Sequence, residues 1–249
     1  MFLKYFIIGL IQGLTEFLPV SSSGHILIFS HLFNINCDII LLSVVAHLGS
    51  LLAVIICMRK KIKPLIKKPL CSTNQNLIIS TLPAVIIVLL FKGLVDKLYG
   101  MEFVLYGFLT TGILLMIADL KKTNNKPITK INALLMGLMQ GIAILPGISR
   151  SGSTLSVGML AGVNKKEACE YSFLMSIPII VGSAVYEIIG LIGHNVEVQF
   201  FPLFVAFLSS FLFAILSIKL MLKIVKSNKL FVFSIYTLLI SLVLFFVIC

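Results

Sequence analysis

Apolar residues in this chain come in long unbroken runs, not in the short alternations of a water-soluble domain. Six runs stand out: Ile39–Met58, Leu77–Phe91, Phe103–Leu120, Tyr171–Ile192, Phe200–Ile218 and Leu230–Cys249. Most approach the roughly 20 residues that carry a helix across a bilayer core. Leu77–Phe91 is the shortest and holds Pro83. The pattern predicts an all-α polytopic integral membrane protein, with residues 1–249 forming a single membrane domain. Composition agrees: 59% of residues are hydrophobic and 12% charged, about half the charged share of a soluble domain. The opening stretch is interrupted at Glu16 and Pro19 and has no small-residue cleavage pattern. It is expected to stay in the chain, not to be removed as a signal.

Charge then orients the runs. The net charge is +11, but it is localised. Sixteen of the 20 Lys and Arg fall in four segments: Arg59–Lys68, Lys121–Lys130, Lys165/Lys166 and Lys219–Lys229. That is the positive-inside pattern, so these segments are expected to be cytoplasmic and no nucleic acid partner is implied. Walking outward and inward from them gives six full spans. Lys92–Met101 and the segment "GHNVEVQ" then lie outside.

Two segments, about Met1–Asn36 and Ile131–Asn164, must each begin and end on one side of the membrane. Each is apolar, then polar and glycine-containing, then apolar again, and each half is too short to span comfortably. They predict re-entrant helical hairpins, the first from the outside and the second from the inside. Non-helical backbone at membrane depth is tolerated where protein or water satisfies it. The two breaks align without gaps: "QGLTEFLPVSSSGH" from Gln12 and "QGIAILPGISRSGS" from Gln140 share Gln, Gly, Ser, Ser and Gly. The expected architecture is therefore two repeats, about 1–122 and 123–249, each a hairpin plus three spans. An odd number of spans makes the second repeat inverted, which puts a site where the breaks meet. Two full spans per hairpin is the alternative.

The breaks concentrate the chain's polar chemistry. Arg150 sits at membrane depth outside every basic segment, where a charge is expensive and marks a cavity or a partner. A structural ion pair with Glu16 or Glu170 is the plain explanation, but it leaves the surrounding Ser and Gly unaccounted for. Gly147 and Gly152 let backbone N–H groups approach a ligand, and a helix starting near Thr154 points its positive end there. Ser149, Ser151 and Thr154 add hydroxyls, and Arg150 adds a planar fork suited to phosphate oxygens. Gln12 and Ser21 are grouped with them as substrate contacts. In the first break, Gln12 and Glu16 share a helix face at i, i+4. Ser22 and His25 share one at i, i+3, as a nucleophile–base pair would. Glu16 has three open roles: orienting His25, holding a divalent metal, or activating water. His47 is a weaker candidate for an outer supporting position, and His31 and His194 are expected to be structural or solvated. The five cysteines show no metal-ligand spacing and are expected to be small buried hydrophobes.

The motifs "QGLTEFLPVSSSGH" and "PGISRSGST" resemble the bacitracin-resistance family of undecaprenyl-diphosphate phosphatases, BacA/UppP, across essentially the whole chain. The resemblance implies hydrolysis of undecaprenyl diphosphate to the monophosphate, recycling the carrier lipid for peptidoglycan synthesis. It implies a site on the outer side of the bacterial cytoplasmic membrane and a divalent cation, Mg²⁺ or Ca²⁺. It carries catalytic roles to Glu16, Ser22, His25 and Arg150, and phosphate binding to Ser149, Arg150, Ser151 and Thr154. Gln12 departs from it: many relatives have Glu there, so Glu16 is the only acid of the element and the sole expected metal ligand. Expected partners are the lipid substrate, membrane lipids and a second copy of the chain in a homodimer. Two rivals remain in view. A type 2 acid-phosphatase-like enzyme shares an echo of "SSSGH", but Ser156 stands where its SR-x5-H element needs His. A prenyl-phosphate flippase or transporter would use the same broken helices without hydrolysis.

Overall fold

The computed structural model describes residues 2–33, 39–121, 126–191, 199–227 and 229–248. The expectations for Cys37, Cys249, His194 and nearly all of the "GHNVEVQ" loop fall outside the described residues. Those residues form eleven helices, with a lone bridge between Lys126 and Val163. In the first half these are α1 (Phe2–Phe17), α2 (Ser22–Leu32), α3 (Ile39–Cys57), α4 (Arg59–Lys67), α5 (Ser72–Lys97) and α6 (Met101–Leu120). The second half has α7 (Lys130–Ile142), α8 (Arg150–Leu160), α9 (Lys165–Leu191), α10 (Phe200–Lys226) and α11 (Phe231–Ile248). The succession short, short, long, long, long thus occurs twice, with α4 as the one addition.

Five helices (α5, α6, α9, α10 and α11) are long and apolar enough to cross a membrane, and α3 together with α4 makes a sixth candidate bent by 79°. The protein is a multi-pass helical membrane protein. Its spans present apolar side chains outward, among them Leu89, Leu90 and Phe246. The basic stretch after Ile39–Met58 is itself a helix, α4, turned sharply off α3. The short apolar run Leu77–Phe91 is part of a 26-residue helix that starts at Ser72 and continues through Pro83. A proline is tolerated inside a membrane helix where neighbours satisfy the freed backbone group.

The two broken pairs match expectation in length. α1 has 16 residues and α2 has 11, so at 1.5 Å per residue neither exceeds about 24 Å. α7 and α8 have 13 and 11 residues. In each pair the two helices pack on one another. The first helix of each pair docks on a long helix of the other half: α1 on α10, and α7 on α5. Glycines permit the approach. A Cβ on Gly13 would stand 2.3 Å from the Ser210 carbonyl oxygen, and one on Gly137 would stand 2.3 Å from that of Ser80. Small residues spaced by four on one helix face are the usual means of bringing membrane helices into backbone contact.

The largest buried cluster lies beneath the breaks and joins both halves, including Phe17, Leu155, Met159, Phe173 and Ile218. Phe17 meets Phe173 edge-on with ring centres 5.2 Å apart, and so fixes the end of α1 where Glu16 sits. At one end of the bundle, Lys165 pairs with Asp119 at 2.6 Å, Asp119 accepts from the Phe231 N–H at 3.2 Å, and Lys121 donates to the Leu160 carbonyl at 2.6 Å. These bonds clasp α6, α8, α9 and α11 together.

Candidate active site

Each break ends in a helix capped by a serine hydroxyl. The α2 helix begins at Ser22, and the Ser21 hydroxyl caps it by accepting from the Gly24 N–H at 3.3 Å. The α8 helix begins at Arg150, and the Ser149 hydroxyl accepts from the Gly152 N–H at 3.1 Å. Ser21 also lies 3.3 Å from the Ser23 hydroxyl, as Ser149 does from that of Ser151. Capping by a serine oxygen satisfies one of the orphan N–H groups at a helix start. The remaining first-turn N–H groups stay directed at the break, where the helix dipole favours an anion.

The chain route into the second break depends on Gly147, whose φ of +83° is left-handed. A Cβ there would stand 2.3 Å from the Val104 carbonyl oxygen of α6. Thr111 of α6 completes the support by accepting from the Ser149 N–H at 2.9 Å. Sequence reasoning missed Thr111, which lies in an ordinary apolar run and carries no motif.

The two breaks meet at Glu16. Arg150 donates to Glu16 Oε1 across the halves, and Ser151 donates to the Leu18 carbonyl at 2.9 Å. Glu16 Oε2 accepts from Ser22 Oγ at 2.6 Å and from Gln12 Nε2 at 2.9 Å. His47 of α3 brings its Nε2 to 3.8 Å from the same oxygen, while its Nδ1 donates to the Ser43 carbonyl at 2.8 Å. The Glu16 side chain is only 6% exposed and that of Arg150 15%. The meeting point is therefore shielded from solvent, where charge-assisted hydrogen bonds are strong. The alternative ion pair of Arg150 with Glu170 is not formed: Glu170 pairs with Lys61 and Lys166.

Not every expected residue converges on Glu16. His25 bonds neither Ser22 nor Glu16. Its Nδ1 lies 2.7 Å from the Ser21 carbonyl oxygen, and its Nε2 lies 2.8 Å from the hydroxyl of Tyr236 on α11. Tyr236 also escaped sequence reasoning, because a tyrosine in an apolar run reads as an interface anchor. Thr154 is buried and bonds the Arg150 carbonyl at 2.8 Å and Ser172 of α9 at 2.6 Å, so it joins α8 to α9. His47, the weaker candidate, is the imidazole nearest the carboxylate. Cys169 is buried as expected, while Cys57 and Cys71 are half-buried.

The donor set for a divalent cation is lean. Among the described residues there is no group of three His, Cys, Asp or Glu arranged to hold a metal. Among those residues Glu16 is the only carboxylate bonded at the junction. The buried Gln12 Oε1, however, has no hydrogen-bond partner. One charged oxygen and one orphaned neutral oxygen on the same helix face fit a cation that takes its remaining ligands from substrate phosphates.

Curated relatives match this chain over nearly its whole length. The undecaprenyl-diphosphatase of Carboxydothermus hydrogenoformans is 37% identical over 92% of this chain and 91% of its own length. That of Thermosipho africanus is 39% identical, covering 98% of this chain and 100% of its own. That of Methanococcus vannielii is 38% identical over 96% and 98%. The family described as Bacitracin resistance protein BacA matches residues 5–243. With both breaks and every helix from α1 to α11 inside or overlapping that match, the chain belongs to the BacA family.

Proposed function

We propose that this protein is an undecaprenyl-diphosphate phosphatase that recycles the carrier lipid for cell-wall synthesis, the activity from which bacitracin resistance follows. One observation carries the mechanism: Ser22 Oγ donates to Glu16 Oε2 at 2.6 Å, at the N-terminus of α2 and beside Arg150. A hydroxyl in contact with a carboxylate is an activated nucleophile. In this reading Glu16 takes the Ser22 proton, in place of the His25 base expected from the sequence.

The terminal phosphate of the lipid diphosphate binds at the two helix N-termini and draws the Arg150 guanidinium onto its oxygens. Ser22 Oγ attacks the terminal phosphorus as its proton passes to Glu16. The bond from phosphorus to the bridging oxygen breaks, and undecaprenyl phosphate leaves. Water then attacks the phosphoserine, releasing inorganic phosphate and restoring Ser22. Arg150 and the first-turn N–H groups stabilise charge on the phosphoryl oxygens throughout. Glu16 and Gln12 Oε1 would hold a Mg²⁺ or Ca²⁺ ion, which neutralises diphosphate charge when bound. The same reading takes the repeats as inverted and places the junction on the outer side of the bacterial cytoplasmic membrane.

Phosphate release from undecaprenyl diphosphate by the purified protein, with and without chelator, tests the activity and its metal. Lipid movement without phosphate release would overturn the reading in favour of transport. Rapid quench should trap phosphate on Ser22, and full activity in Ser22→Ala would sink the covalent step.

A further inference from the structure

We propose that His25 is a positioning residue that holds the Ser21 turn, and that Tyr236 is the anchor that sets its ring. The inference rests on the phosphatase reading of the junction. It assigns the imidazole of the first break a task other than taking the Ser22 proton.

Ser21 is the only non-glycine residue with a left-handed backbone among the described residues, at φ 67°. Such a conformation is disfavoured for serine and persists where the surroundings over-determine it. Both hydrogen bonds to its carbonyl come from His25: the backbone N–H at 3.3 Å and Nδ1 at 2.7 Å. A carbonyl oxygen only accepts, so Nδ1 carries the proton. In a neutral ring, Nε2 then accepts from the Tyr236 hydroxyl at 2.8 Å. The two rings lie 1° from parallel, and Phe108 meets the imidazole edge-on at 5.2 Å. Both nitrogens are thus engaged, and the ring is wedged.

The second break supplies the control. At the places of Ser21 and His25 it has Ser149 and Ser153. Ser149 caps α8 with an ordinary extended backbone, φ −74°. The break without an imidazole has no left-handed cap, and the break with the left-handed cap has the imidazole. The turn is what aims Ser22 at Glu16, so holding it open is a catalytic requirement that His25 meets without touching substrate.

Steady-state phosphate release by full-length purified variants separates this role from that of a base. Asn in place of His25 keeps an N–H donor near the Nδ1 position but has no basic nitrogen. His25→Asn should keep kcat within about tenfold of wild type, KM unchanged and the acidic limb of the pH–rate profile intact, whereas His25→Ala should lose about 100-fold or more. Tyr236→Phe should lower kcat about three- to tenfold, the value of one hydrogen bond. A base would instead gain from losing that competing bond. The inference is overturned if folded His25→Asn is as inactive as His25→Ala, if its acidic limb disappears, or if Tyr236→Phe matches or exceeds wild type. Folding is checked by elution and thermal unfolding in detergent. A second readout is independent of turnover: ¹⁵N resonances of His25 should report a proton on Nδ1, and a ring protonated only at Nε2 would overturn the proposal. Should wild type release no phosphate, the phosphatase reading falls while the tautomer still judges this one.

Discussion

Glu16 holds one negative charge against three neighbours that donate to it, and only Arg150 among these carries a full positive charge. Removing one member of a buried pair strands the other, at a cost of about 3–5 kcal/mol. Arg150→Ala should therefore lower the melting temperature as well as cut kcat by about 10²–10³-fold. The double variant Arg150→Ala/Glu16→Gln should regain most of the stability and none of the turnover, read by thermal unfolding beside phosphate release. Arg150→Lys keeps the charge but loses the fork, so it should stay folded and still lose most activity. Glu16, Ser22 and Arg150 were legible in the sequence because polar groups at membrane depth have few reasons to be there. The partner of Ser22 was not. Spacing alone pairs it with His25, but Ser22 is the first residue of its helix, and from there its hydroxyl reaches back across the break to α1. Thr111, Tyr236 and the proximity of His47 depend on which spans become neighbours, which no local pattern encodes.

At the scale of elements, glycine sets which helices touch. Gly137 faces the Ser80 backbone with no room for a methyl group, whereas a Cβ on Gly182 of α9 would meet nothing within 4 Å. Gly137→Ala should force α7 off α5 and destabilise by roughly 1–3 kcal/mol. Gly182→Ala should be neutral or slightly stabilising, since alanine exceeds glycine in helix preference by about 1 kcal/mol. Thermal unfolding of the two variants side by side measures the difference. The spans themselves were plain from hydropathy. Their ends were less so: α5 extends over the polar Ser72–Asn76 stretch and past Phe91, because a helix that leaves the apolar layer still satisfies its own backbone. The basic Arg59–Lys67 stretch reads as a loop from its charge and forms a helix for the same reason.

Across the whole molecule, the docking of α1 on α10 and of α7 on α5 makes the halves mutually dependent. Cutting the chain between residues 122 and 125 and expressing both pieces together should restore phosphate release, while either piece alone should be degraded. Recovery of activity by one half alone would contradict the exchange. The five positions shared by the two breaks say nothing of which long helix each hairpin docks on, because the exchange is a property of assembly.

The same exchange dictates an order of events during synthesis. Helix α1, made before the other ten, carries Glu16 but finds its packing partner only when α10 is made, about 180 residues later. Until then its glycine face and its carboxylate must wait in the translocation machinery or at its edge. Activity should therefore appear abruptly as the last two helices are released, and nascent chains arrested before α10 should be targets for membrane quality control.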